Sequence, residues 1–109
     1  MDAQKEVVEM TWPYKHIKQN NTKVVVSDDS DWNTVARVML HDSMIVLITK
    51  KHVFLWSKGW LTRTTKDRLN AASKEFNLRY RVFQKKLDWF VEYDGKVIPF
   101  EEGMKLERR

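Results

Sequence analysis

The chain has 109 residues, 42% hydrophobic and 12% aromatic, a composition that excludes a wholly disordered chain and fits a single domain. It contains no cysteine, which excludes disulfides and thiolate sites, and no apolar run near the roughly 20 residues that cross a bilayer, so we expect a cytoplasmic protein without a membrane partner. Its 20 Lys and Arg residues outnumber 15 Asp and Glu residues, and the resulting net charge of +5 favours an anionic partner.

The N-terminal half of the sequence predicts four strands after a segment with little regular structure. We expect residues 1–21 to form an N-terminal extension, either flexible or a short helix that the Trp12-Pro13 pair ends. The β-branched run at residues 22–26 predicts the first strand. Apolar runs at residues 34–40, 44–49 and 52–56, separated by short polar breaks, predict an antiparallel meander.

One helix is predicted at residues 65–76. Thr64 is the expected N-cap, with Asp67 three residues later as in a capping box. Apolar residues recur on one face of this segment, at Leu69, Ala72 and Phe76. Asn77 is expected to end the helix in the left-handed conformation, which Asn tolerates.

The C-terminal part predicts three more strands, at residues 78–84, 89–93 and 96–100. Asp94-Gly95 predicts a type I′ hairpin turn, and Pro99 predicts that the last strand lies at a sheet edge. The order β-β-β-β-α-β-β-β indicates an α+β domain, with one mainly antiparallel sheet of six or seven strands over residues 22–104. Residues 105–109 are expected to be a C-terminal tail.

Four short motifs resemble a small domain encoded by tailed bacteriophages. They are Gly-Trp-x-Thr-x-Thr-Thr-Lys-x-Arg-x-Asn at residues 59–70, Phe-Gln-Lys at 83–85, Trp-x-Val at 89–91 and Pro-Phe-Glu-x-Gly at 99–103. The resemblance covers residues 34–104 and leaves residues 1–21 outside. It implies a phage protein that acts in the cytoplasm of an infected bacterium, and it transfers no catalytic residue.

The positive charge is concentrated in residues 58–86, which carry nine basic and only two acidic side chains. The basic residues are Lys58, Arg63, Lys66, Arg68, Lys74, Arg79, Arg81, Lys85 and Lys86. A contiguous basic segment raises the potential toward a polyanion such as nucleic acid. The alternative is that these side chains point in several directions and only keep the surface soluble.

Strand alternation places Arg79, Arg81, Phe83 and Lys85 on one face. Because Lys and Arg are seldom buried unpaired, this face is expected to be exposed, with Phe83 as a base-stacking platform. Trp89 or Phe90 would add a second ring. The alternative is that Phe83 packs under the aliphatic stems of its basic neighbours.

The predicted helix start is a candidate phosphate site. Its backbone N–H groups lie near Arg63, Lys66 and Arg68 and near the hydroxyls of Thr62, Thr64 and Thr65. The alternative is an ordinary capped helix whose threonines bond its own backbone. A helical wheel separates Lys66, Arg68 and Lys74, which argues against a helix that reads the major groove, so we expect binding to be mostly independent of sequence.

No enzymatic or cofactor motif is recognisable. His16, His41 and His52 lie in no nucleophile motif, and the three glycines are too far apart for a phosphate loop. Asp28, Asp29 and Asp31 resemble a calcium loop only in part, because its glycine and glutamate are missing. His41 and His52 end predicted strands, where turn histidines are the alternative to a zinc pair. We predict a protein without catalytic residues, metal or cofactor.

Three functional hypotheses follow. The first is a phage accessory protein that binds nucleic acid, single-stranded or through its backbone, by the residues Arg63, Lys66, Arg68, Arg79, Arg81, Phe83, Lys85, Lys86 and Trp89. The second is an inhibitor or adaptor that docks on a host nucleic-acid enzyme or defence complex, since its aromatic content suits an interface. The third is a homodimer that pairs through an edge strand.

Overall fold

The computed structural model describes residues 12–27 and 33–108. These residues form eight strands and one helix. The elements are β1 (Thr22–Val26), β2 (Thr34–Leu40), β3 (Ser43–Thr49), β4 (His52–Leu55), α1 (Arg63–Glu75), β5 (Arg81–Lys85), β6 (Asp88–Tyr93), β7 (Lys96–Pro99) and β8 (Met104–Glu107).

The strands form two antiparallel sheets. β1, β2, β3, β4 and β8 are hydrogen-bonded in that order into a five-stranded sheet, and β5, β6 and β7 form a three-stranded sheet. The predicted α+β class with antiparallel pairing is confirmed. The single sheet expected from the sequence is in fact two, because alternation identifies strands and does not reveal which of them pair.

Strand β8 corrects the prediction of a C-terminal tail at residues 105–109. It pairs with β4 from His52 opposite Glu107 to Leu55 opposite Met104. β8 is only four residues long and buries one side chain fully, that of Leu106. Such a short strand with three charged or flexible residues has little signal in the sequence.

The second half of the chain follows the predicted hairpin with one change. Asp94 and Gly95 have φ of 54° and 75°, so both central residues have the positive φ that a type I′ turn requires. β7 lies at the edge of its sheet, as Pro99 predicted. β5, however, begins at Arg81 and not at residue 78, because Arg79 has φ of 70°, which breaks the extended backbone.

The helix begins two residues earlier than predicted and ends as expected. Its N-cap is Thr62, whose Oγ1 accepts a hydrogen bond from Thr65 N–H at 3.2 Å, so the prediction of Thr64 was wrong. At the other end Asn77 has φ of 55°, and Leu78 N–H donates to the Ser73 carbonyl at 2.8 Å. This is a Schellman ending with Asn in the left-handed position.

The core lies between α1 and the two sheets. β2 alternates between fully buried and half-buried residues, and α1 buries Leu69 and Ala72. Val82 and Val91 extend the core from the three-stranded sheet. Ile17 is only 1% exposed, although it lies in the segment predicted to be an extension. Burial of one such side chain stabilises the fold by about 2 kcal/mol, so residues 12–21 belong partly to the packed domain.

Candidate nucleic-acid interface

Helix α1 lies antiparallel along the free edge of β5 and completes its hydrogen bonds. The Asn70 side chain donates from Nδ2 to the Val82 carbonyl at 2.8 Å and accepts from Val82 N–H at Oδ1 at 2.7 Å. One turn later Ser73 Oγ donates to the Tyr80 carbonyl at 2.7 Å and accepts from Tyr80 N–H at 3.0 Å. Two side chains of the helix therefore replace a neighbouring strand.

The same alignment brings Lys66 to the end of β5, next to Lys85 and Lys86, and Arg63 precedes Lys66 by about one helical turn. Because the helix and strand are antiparallel, the start of α1 lies beside the end of β5. Gln84 links the two parts: its Oε1 accepts from Lys66 Nζ at 3.4 Å, and its Nε2 donates to the Lys86 carbonyl at 3.0 Å. We call this region the cationic end, and its residues are Arg63, Lys66, Lys85 and Lys86.

Carboxylates neutralise the cationic end only weakly. Arg63, with a side chain 92% exposed, lies 4.0 Å from the Asp67 carboxylate, a separation at the outer limit of an ion pair. Exposed pairs of this kind contribute about 0.5 kcal/mol or less, so the Arg63 guanidinium remains available to an anion. Lys85 and Lys86 are exposed as well, with Asp88 opposite Lys85 in the β5–β6 register.

Arg68 does not join the cationic end, which corrects its place among the predicted binding residues. Its side chain is buried, with Nε donating to Thr22 Oγ1 at 2.9 Å and Nη2 donating to the Asn20 carbonyl at 3.2 Å. Arg68 therefore attaches the helix to the segment before β1. An arginine in a basic run gives no sequence signal that separates this structural use from phosphate binding.

Lys74 and Arg79 are exposed but lie at the opposite end of the helix and strand. Eleven residues of helix separate Lys74 from Arg63, or about 16 Å at 1.5 Å per residue. That distance exceeds the screening length of about 8 Å at physiological salt, so the two ends act as separate charges. The nine basic residues are thus divided, and four of them lie at the end where α1 begins and β5 finishes.

The outer face of the three-stranded sheet carries the predicted aromatic surface in an altered form. Arg81, Phe83 and Lys85 lie on that face as expected, while Val82 is buried. The Arg81 guanidinium lies 4.5 Å from the Phe83 ring centroid and also pairs with Glu92 at 2.9 Å. Arg81 thus covers Phe83 and is already partly neutralised.

Phe90, and not Trp89, supplies the second ring of this face. Phe83 and Phe90 are opposite each other in register, with centroids 5.7 Å apart and planes at 28°. Trp89 points inward, is 7% exposed and meets Phe100 edge to face at 5.5 Å. The choice between the two rings depended on the register with β5, which the sequence does not specify.

A groove that the sequence did not predict lies next to the cationic end. Its volume is about 510 Å³, and its apolar lining consists of Leu61, Leu87, Trp89, Phe90, Pro99 and Phe100. Leu87 is 89% exposed and Leu61 59% exposed, so its walls are open to solvent. The sequence signal for this groove was Leu87, an apolar residue between the charged residues Lys86 and Asp88 in a short turn.

The Pro-Phe-Glu-x-Gly motif shapes the loop beside this groove. The Glu102 carboxylate accepts from the backbone N–H of Ser57 at 3.0 Å and of Lys58 at 2.9 Å, and from the Ser57 hydroxyl. Gly103 has φ of 76°, and a Cβ there would lie 3.1 Å from Trp56 Nε1. The glycine of the motif therefore has a structural role, because it admits the Trp56 ring, while the loop at Ser57 and Lys58 is fixed by Glu102, which occupies the variable position of the motif.

The helix start, predicted as a candidate phosphate site, is capped by Thr62. Thr62 Oγ1 lies 3.1 Å from Thr65 Oγ1 and accepts from Thr65 N–H, and Thr65 is fully buried. Only Thr64 of the three hydroxyl residues is both exposed and outside this pair. The helix is capped as the alternative interpretation expected, and a phosphate site at its start stays a prediction.

The two histidines considered as a zinc pair, His41 and His52, lie far apart. His41 and His52 flank opposite ends of β3, so roughly 20 Å of strand separates them, and His41 instead meets Trp60 edge to face at 4.8 Å. The backbone N–H of His16 donates to the Glu75 carboxylate at 2.8 Å. Within residues 12–27 and 33–108 there is no group of three His, Asp or Glu residues placed to hold a metal. Asp28, Asp29 and Asp31 lie outside the described residues.

The comparisons with known proteins connect the chain to a phage family. Over the part of the chain that the structure describes, no helix is long and apolar enough to span a membrane. No curated protein and no solved structure matches the chain. A model of the family described as Kyanoviridae Gp96 protein matches residues 2–107, a span that includes most of the segment that the motif resemblance left outside. The chain therefore belongs to the Kyanoviridae Gp96 protein family, a family of small phage-encoded domains.

Proposed function

We propose that this protein binds nucleic acid through the cationic end, largely independently of sequence and without catalysing a reaction. The observation that carries the proposal is the antiparallel alignment of α1 with β5, which places Lys66 at the end of β5 next to Lys85 and Lys86, with Arg63 about one turn earlier on the helix. Cations that converge raise the local potential and bind successive phosphates. Scattered cations would favour the alternative of a merely soluble surface.

The lack of sequence preference follows from where the helix side chains point. Asn and Arg are the residues that most often read base edges in a groove. Here Asn70 is committed to the Val82 backbone, and Arg68 is committed to Thr22 and Asn20. The cationic end is left to bind phosphates, which carry no sequence information directly.

Fluorescence polarisation with single-stranded and duplex oligonucleotides at low salt tests this function. The variant Lys85→Gln/Lys86→Gln removes two charges of the cationic end and should weaken binding at least tenfold, since each phosphate contact adds to affinity. The matched control, Lys51→Gln/Lys105→Gln, removes two charges from exposed lysines of the five-stranded sheet and should change affinity less than threefold. Equal losses in both variants would show that only net charge matters, and absence of binding at micromolar protein would reject the function.

The second candidate is an inhibitor or adaptor that docks on a host nucleic-acid enzyme or defence complex. The exposed apolar residues Leu61, Leu87 and Val97 favour it, because apolar and aromatic groups anchor protein interfaces. Pulldown from nuclease-treated bacterial lysate distinguishes the two. A partner that survives nuclease treatment and is lost with Leu61→Ser/Leu87→Ser supports docking, while partners that all disappear with nuclease support nucleic-acid binding.

A homodimer through an edge strand stays a prediction, which light scattering tests.

A further inference from the structure

The groove and the cationic end form one continuous surface. Trp89 lines the groove, and the Lys66 ammonium lies 5.7 Å from the centroid of its ring. Leu87, which also lines the groove, directly follows Lys86 in the β5–β6 turn. A largely apolar, aromatic recess of about 510 Å³ therefore has the Lys66 ammonium over one of its rings and Lys86 next to one of its leucines in the chain.

A ligand that fits such a surface presents a flat apolar ring and a negative charge close to it. A nucleotide in a single strand has this combination, because its base is free to leave the stack while its phosphates stay in contact with cations. In a duplex the bases are paired and stacked, so their faces are not accessible. The volume of the groove lies in the range of roughly 300 to 1,000 Å³ that is usual for small-ligand sites.

The two carboxylates near the groove do not oppose this ligand strongly. Glu102 accepts hydrogen bonds from the backbone N–H groups of Ser57 and Lys58, which compensate its charge. Asp88 is opposite Lys85 in the β5–β6 register. Phe83 is less suited to a base, because Arg81 already covers its ring.

We propose that the groove holds one unstacked base of a single strand while Lys66 and Lys86 bind the phosphates that flank it. This inference rests on the nucleic-acid binding proposed above and makes it more specific. The protein therefore prefers single-stranded nucleic acid over duplex, and the bases contribute to affinity in addition to the phosphates.

The test compares three oligonucleotides of equal length and equal labelling at one salt concentration. They are a single strand with all its bases, the same strand with abasic sites through its centre, and a duplex. Because stacking on aromatic side chains contributes substantially per base, we expect the wild-type protein to bind the complete strand about tenfold more tightly than the abasic strand.

Variants of the groove test whether the difference in affinity between the complete and abasic strands arises at the groove. Leu61→Ser/Leu87→Ser removes two exposed apolar walls and no charge, so folding and phosphate contacts should be retained. This variant should bind the complete strand as weakly as the abasic strand, with an unchanged salt dependence. The control Val25→Ser/Val26→Ser alters two exposed apolar residues of β1 and should keep the tenfold difference.

The outcomes separate the inference from the function on which it rests. If the complete and abasic strands bind wild-type protein equally, nucleic-acid binding stands and the groove serves another occupant, such as a protein segment. If the tenfold difference persists in Leu61→Ser/Leu87→Ser, the base lies elsewhere and the inference is wrong. If no oligonucleotide binds, both proposals fail.

Discussion

Asn70 satisfies both backbone groups of Val82 with one side chain and so joins the helix to the edge of β5. Val82 is 2% exposed, and water cannot replace the lost partner. Asn70→Ala leaves a buried N–H and a buried carbonyl unpaired, which should lower the free energy of unfolding by about 2 to 4 kcal/mol. Urea denaturation measures the change, with the exposed Asn33→Ala as control. A loss below about 0.5 kcal/mol would contradict the role of Asn70.

The buried Tyr80 side chain forms a second connection between α1 and the chain that leads into β5. Its hydroxyl donates to the Leu69 carbonyl at 2.6 Å, and burial raises the pKa of this hydroxyl above its ordinary value of 10.0. The neutral form therefore stabilises the fold fully below about pH 10, and this stability is lost as the pH rises above that value.

Tyr80→Phe should lower the free energy of unfolding by about 1 kcal/mol at pH 7, because one hydrogen bond is lost. Above pH 10 the variant should lose stability less steeply than the wild-type protein, since it has no hydroxyl to ionise at this position. Urea denaturation at pH 7 and at several values above pH 10 measures both effects. Parallel pH curves for the two proteins would contradict the account.

At the start of helix α1 there are two candidate N-cap residues, Thr62 and Thr64, two positions apart. Thr62 accepts the capping hydrogen bond from Thr65, whereas Thr64 lies exposed in the first turn. Thr62→Ala should therefore cost about 1 kcal/mol of stability, and Thr64→Ala should cost less than about 0.5 kcal/mol. Thermal or urea denaturation of the two single variants is a matched comparison. A larger effect at Thr64 would restore the boundary that the sequence predicted.

Most strands were predictable, because alternation and turn residues act locally. β1 and β2 have their predicted bounds, and Asp94-Gly95 marks its hairpin. The errors arose where distant parts of the chain decide the structure. β8 forms a strand because it pairs with the edge of β4. The division of the strands into two sheets depends on which strands pair, and no local pattern encodes that pairing. Arg79 adopts a positive φ that the strand pattern did not indicate.

The candidate site was predictable to a similar degree. Charge counting found Arg63, Lys66, Lys85 and Lys86 within one basic segment, because charge is read directly from sequence. It did not separate Arg68 from them, since burial depends on the tertiary contact with Thr22. Charge counting also missed the groove. The groove is formed jointly by the segment before α1, the β5–β6 turn and the chain after β7.

Across the whole molecule, the basic residues that give the net charge of +5 are unevenly distributed. Of the nine basic residues in the central segment, Arg68 is buried, Arg81 is paired with Glu92, and Lys58 lies over the Trp56 ring, 5.1 Å from its centroid. Lys74 and Arg79 lie at the far end of the helix. The cationic end contains four of the nine, with an apolar groove beside it, and this arrangement carries the proposed function.

The most direct test of that function is the salt dependence of binding to a single-stranded oligonucleotide. Each phosphate contacted on a single strand contributes about 0.7 to the slope of log affinity against log salt concentration, so four cations predict a slope near −3. Lys85→Gln/Lys86→Gln should reduce its magnitude to about half. A wild-type slope near zero, or one that the double substitution leaves unchanged, would contradict phosphate binding at the cationic end.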